Sequence, residues 1–103
     1  MFPLDQHIHP HPEVVDTQLE DGETALLHLE STTYYSLNRT GTYIWQGLKQ
    51  GLTLREISQR LQERFAVDAE GADRSVCTLV QELAQHNLVQ YRRDEPPQRP
   101  SGA

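Results

Sequence analysis

The hydrophobic period of this chain changes once, at Asn38. Before it, residues 13–37 read as strands with side chains alternating in pairs; after it, apolar residues recur every three or four positions. A chain ordered this way builds a small sheet first and packs helices on it second. The join is "STTYYSLNRTG", residues 31–41. Thr32, Thr33, Tyr34 and Tyr35 are strand formers, and Asn38 is a helix N-cap. Two adjacent tyrosines on a strand point to opposite faces, so they cannot share one core.

Three strands are expected ahead of the join. "EVVDTQLE" (13–20) ends at an Asp21-Gly22 turn, and "ETALLHLE" (23–30) follows it. Alternation puts Ala25, Leu27 and Leu29 on one face and Leu26, His28 and Glu30 on the other. The first set is taken as the core face, with His28 paired to Glu30 at the surface. A short polar turn then leads to "TTYYSL" (32–37), where Tyr35 and Leu37 share one face and Tyr34 and Ser36 the other. Strands this close in sequence form an antiparallel meander.

Three helices follow. Gly41, Ile44, Trp45 and Leu48 mark the first, with Gly51 just past its end. "TLRE" (53–56) has the pattern of a capping box, and Leu54, Ile57, Leu61 and Phe65 form the stripe behind it. Asp68 caps a third helix bearing Ala72, Val76, Leu79, Val80 and Leu83. His86-Asn87 ends that helix, and "LVQY" (88–91) leads out. The expected fold is α+β and winged-helix-like, in the order βββααα. Its core candidates are Trp45, Leu27, Leu29, Leu37, Ile57, Leu61, Val76, Leu79 and Leu83. Each buried side chain of this kind contributes about 1.5–3 kcal/mol before entropy.

The domain boundaries follow from composition. Residues 1–12, "MFPLDQHIHPHP", read as a flexible His/Pro-rich arm, 13–91 as the folded domain, and 92–103 as a disordered tail. At 103 residues there is room for one domain. No apolar run is long enough to span a bilayer, and no signal peptide is visible. A single cysteine, Cys77, forms no internal disulfide, so a reducing cytoplasm is the simplest compartment. A net charge of −6 argues against nonspecific nucleic-acid binding.

The sequence holds no catalytic motif. There is no nucleophile elbow, zinc-protease helix, P-loop or dinucleotide fingerprint. The acidic residues of the first half are scattered and read as solvated faces. His7, His9 and His11 could bind a transition metal, but nothing beside them supplies the supporting hydrogen bonds that a functional site needs. The third helix could serve as a recognition helix, yet its outward positions (Glu70, Asp73, Arg74, Gln81, Glu82, Gln85) carry too few cations to enter a groove of DNA. Neither an enzyme nor a cofactor is expected.

The stretch from Ala25 to Asp68 resembles the PqqD-like proteins, the peptide chaperones also called RiPP recognition elements. The resemblance rests on "YYSLN" (Tyr34 to Asn38), "TGTYIW" (Thr40 to Trp45), the Gly51/Thr53/Glu56/Ile57 pattern and "FAVD" (Phe65 to Asp68). It implies a non-catalytic domain that binds the leader of a ribosomal precursor peptide as an added strand along the third strand. The leader's side chains would dock between that strand and the third helix. Carried onto this sequence, Thr33, Tyr34, Tyr35, Ser36 and Leu37 form the docking edge. Asp73, Val76, Cys77, Val80 and Ala84 form the facing wall. No proline or lysine protects the edge, as proteins ordinarily arrange. The Thr-Gly and Ile-Trp pairs are similar to those of stand-alone members from lasso-peptide pathways, whose partner is a leader protease. The alternative is a chaperone for a radical enzyme, as in the pyrroloquinoline quinone pathway.

Overall fold

The structure, a computed structural model, describes residues 7–92. In chain order it has β1 (His7–Pro10), β2 (Val14–Gln18), β3 (Thr24–His28) and β4 (Thr33–Leu37). Helices α1 (Arg39–Lys49), α2 (Leu54–Phe65) and α3 (Ala69–Gln85) follow, then β5 (Val89–Arg92). The meander and three helices expected from the sequence are present, and the fold is α+β. Strands β2, β3 and β4 make one antiparallel sheet in that order, and β1 pairs with β5 in a second, two-stranded one.

Local chemistry sets the boundaries. Left-handed Asp21 and Gly22 (φ 70° and 78°) turn the chain between β2 and β3. Asn38 caps α1 by accepting from the Gly41 amide at 2.8 Å. The capping box forms at α2: the Thr53 hydroxyl accepts from the Glu56 amide, and the Glu56 carboxylate accepts from the Thr53 amide. Asp68 caps α3 by accepting from Gly71. The core is built from Leu26, Leu37, Ile44, Trp45, Leu48, Leu54, Ile57, Leu61, Val76, Val80 and Leu83, with Ile8 and Leu88 closing it. Gly47 allows α1 and α2 to approach, because a Cβ there would lie 2.7 Å from Ile57 Cγ1.

Three expectations are corrected. On β3 the buried face is Thr24, Leu26 and His28, whereas Leu27 is half-buried and Leu29 is 52% exposed. Both alternating sets of this strand carry leucine, so its own pattern does not choose between them. Cross-strand partners do. Leu26 stands between Asp16 and Tyr35 on the helix-facing side, and Leu27 between Val15 and Tyr34 on the other. The inner row can hold Asp16 because Trp45 Nε1 and Lys49 Nζ donate to its carboxylate at 2.6 and 2.8 Å.

His28 is accordingly buried rather than paired at the surface. The arm assigned to residues 1–12 does not hold for residues 7–10. Residues 7–10 form a strand and bury Ile8, because "LVQY" leaves α3 as β5 and offers them a partner. Pro10 is tolerated because it is the last residue of this two-stranded ribbon. Residues 1–6 and the tail beyond 92 lie outside the described residues.

Candidate functional site at the edge of strand β4

β4 ends the order β2-β3-β4, and among the described residues no strand lies beyond it. The direction of its backbone groups follows from the neighbouring ladder. The Leu29 amide donates to the Glu13 carbonyl and the Leu19 amide to the Glu23 carbonyl. Antiparallel partners alternate between bonded and unbonded pairs. Val15 with Leu27 and Thr17 with Ala25 are therefore the bonded pairs of β2 and β3. Thr24, Leu26 and His28 then bond to Leu37, Tyr35 and Thr33 of β4. That leaves the N–H and C=O of Tyr34 and Ser36 pointing away from the sheet. An outward backbone pair of this kind takes either water or another strand.

A groove of about 440 Å³ opens between the start of α1, just past the C-terminal end of β4, and one flank of α3. One wall is Asn38, Thr40, Gly41 and Ile44; the other is Arg74, Ser75, Thr78, Leu79 and Glu82 of α3. Tyr35 reaches across toward α3, where its hydroxyl donates to the Glu82 carboxylate and its ring lies 5.5 Å from that of His86. Burial, then the hydrogen bond and charge of Glu82, push the Tyr35 phenol up to about 12. Tyr34, on the opposite face, is 72% exposed.

The family model for coenzyme PQQ synthesis protein D (PqqD) matches residues 23–89. The chain belongs to the PqqD family.

Two solved structures of similar proteins accompany that match. One is TbiB1 in complex with the TbiA(β) leader peptide, at 29% identity and a TM-score of 0.76, covering 84% of this chain and 99% of that one. The other is a lasso peptide synthetase B1 complexed with the leader peptide, at 28% identity and a TM-score of 0.73, covering 81% of this chain and 96% of that one. No curated protein matches the chain.

In this PqqD-family chain the expected edge residues, Thr33 to Leu37, do form one strand, with Tyr35 half-buried and Leu37 buried. The expected wall on α3 needs correction. Asp73 accepts a hydrogen bond from the Ser58 hydroxyl of α2, so its flank faces α2 rather than β4. Cys77 and Ala84 share that flank by helical spacing, and Ala84 is exposed there. Val76 and Val80 are fully buried core. The flank that faces β4 carries Ser75, Leu79, Glu82 and His86. An apolar stripe fixes the axis of a helix against its core, but it is symmetric about that axis and does not say which flank meets the sheet. Tyr35 needs an acceptor, but each flank carries a carboxylate, Asp73 on one and Glu82 on the other; the choice is made by Ser58 taking Asp73 and Tyr35 taking Glu82.

The His11 and His28 rings are poorly disposed to ligate a metal. His11 packs its ring 4.4 Å from that of His28, and Glu30 completes a cluster whose donor atoms lie within 4.8 Å of one another. Each ring's Nδ1 already accepts a backbone N–H, from Glu13 and Glu30 respectively. A neutral imidazole bonded that way carries its proton on Nε2, which then offers no lone pair. Among the described residues, no helix is long and apolar enough to cross a membrane.

Proposed function

We propose that the protein captures the leader of a ribosomally made precursor peptide as a fourth strand on β4, and presents it in the cytoplasm to a partner enzyme without catalysing a step itself. The observation that carries this reading is the outward N–H and C=O of Tyr34 and Ser36, on an edge whose C-terminal end leads to an open groove. Strand addition draws affinity from backbone bonds and specificity from alternate side chains in pockets. Both requirements have candidates here: the edge for the first, and the groove walled by Ile44, Leu79 and Glu82 for the second. Membership of the PqqD family and the likeness to two leader-bound proteins support the same reading. The lasso peptide synthetase among them favours a leader protease over a radical enzyme as the partner.

The test is fluorescence anisotropy with the labelled leader of the precursor encoded beside this protein. Binding is expected in the micromolar range or tighter. Ser36→Pro deletes an outward N–H and leaves the β3 ladder intact, so it should weaken binding with little change in thermal stability. Equal binding by the folded variant would count against strand addition.

A further inference from the structure

We propose that the groove at the C-terminal end of β4 reads charge order, accepting a peptide strand in which an acidic residue precedes a basic one by about four positions. The inference rests on the strand-addition reading above and names the peptide chemistry that the same site would select.

The two ends of the groove carry opposite charges. Glu82 is held at one end, where one carboxylate oxygen accepts from the Tyr35 hydroxyl and the other stays available. Arg74 lines the same groove eight residues earlier on α3, an axial separation of about 12 Å. Tyr35 fixes the orientation of this pair relative to the edge. It places Glu82 alongside the middle of β4, while the wall opposite Arg74 begins at Asn38, past the strand's C-terminal end. A strand that continues the antiparallel pairing of the sheet runs from the Leu37 end of β4 toward the Thr33 end. It therefore meets Arg74 first and Glu82 second. At about 3.4 Å per residue, 12 Å spans between three and four residues, and of the two spacings only four places both side chains on one face, toward the groove. The residue midway between them would meet the half-buried Leu79, which suits an apolar side chain.

Arg74 has one competitor, Glu70, whose carboxylate lies 3.5 Å from its guanidinium at an exposed i,i+4 spacing. A pair so exposed yields readily to an incoming carboxylate. Charge pairs of this kind set orientation and discrimination more than affinity. Each is worth about two- to fivefold, so exchanging the two charges on a peptide should weaken it by about tenfold.

The experiment is selection of a displayed library of short random peptides on the full-length protein, repeated on Arg74→Glu/Glu82→Lys. The wild type should enrich the order acidic, apolar, basic at alternate positions, and the reversed variant the opposite order. Arg74→Gln and Glu82→Gln, each milder, should remove the preference one end at a time, with circular dichroism confirming that every variant folds. Glu70→Gln should sharpen the acidic preference. Enriched peptides that lose binding to Ser36→Pro yet show no charge order, or show the reverse order on the wild type, would overturn the proposal alone. A library that yields no binders, or binders indifferent to Ser36→Pro, would overturn strand addition and this proposal with it.

Discussion

The Tyr35 hydroxyl donates its hydrogen to the Glu82 carboxylate, tying the edge strand to the last helix across 47 positions of chain. Glu82 also lines the groove between α1 and α3, and burial together with this bond keeps Tyr35 protonated well above the usual range for a phenol.

That tie should be visible as a pH dependence. In the unfolded chain the phenol loses its proton near its ordinary 10.0, and in the folded chain only at about 12. Below pH 10 both states hold the proton and the contribution is complete. Between 10 and 12 the unfolded chain sheds a proton that the folded chain retains, so stability falls through that window. Urea unfolding of wild type and Tyr35→Phe across this range isolates the effect. The gap between the two proteins should narrow as pH rises; a gap that stays constant would contradict the assignment.

Asp16 behaves in the opposite sense. Burial raises its carboxyl, but the hydrogen bonds from Lys49 and Trp45, with the charge of Lys49, outweigh burial and hold it below its ordinary 3.8. Its contribution is complete above that value and is lost as pH falls through the lowered one. Asp16→Ala leaves the buried indole N–H of Trp45 without its acceptor and should cost about 1–3 kcal/mol. Asp16→Asn retains an acceptor oxygen and should cost less. Trp45 is the single tryptophan, so its fluorescence during denaturant unfolding reports on this site directly.

The register of β3 makes neighbouring leucines unequal. Leu26 is fully buried, and Leu26→Ala should cost about 2–5 kcal/mol. Leu27 lies on the open face, and Leu27→Ala should cost about 1 kcal/mol or less. Chemical denaturation of the two variants measures both. The reverse ranking would place the strand one residue out of register.

These leucines also mark how far the sequence could be read. The period change at Asn38, the caps at Asn38, Thr53 and Asp68, and the α3 stripe through Val76, Val80 and Leu83 are local signals, and the structure realises them. The face of β3 was hidden because "TALLH" offers an apolar residue to either side. Its true face depends on Asp16 meeting Trp45 from 29 positions away. Strand β1 was hidden because "HIHP" is stable as a strand only beside β5, at the far end of the chain. The wall of the groove was hidden because helical symmetry leaves two equivalent flanks until Tyr35 selects one. In each case the missing information was a long-range pairing.

Amide hydrogen exchange with and without the precursor's leader peptide tests the central claim most directly. In the free protein the amides of Thr33, Tyr35 and Leu37 are already committed to β3, while those of Tyr34 and Ser36 face outward. Addition of the leader should protect Tyr34 and Ser36 selectively, with smaller changes along Ser75 to Glu82. Protection that leaves Tyr34 and Ser36 exchanging as before, or that settles on the Asp73–Cys77–Ala84 flank of α3, would contradict strand addition at β4.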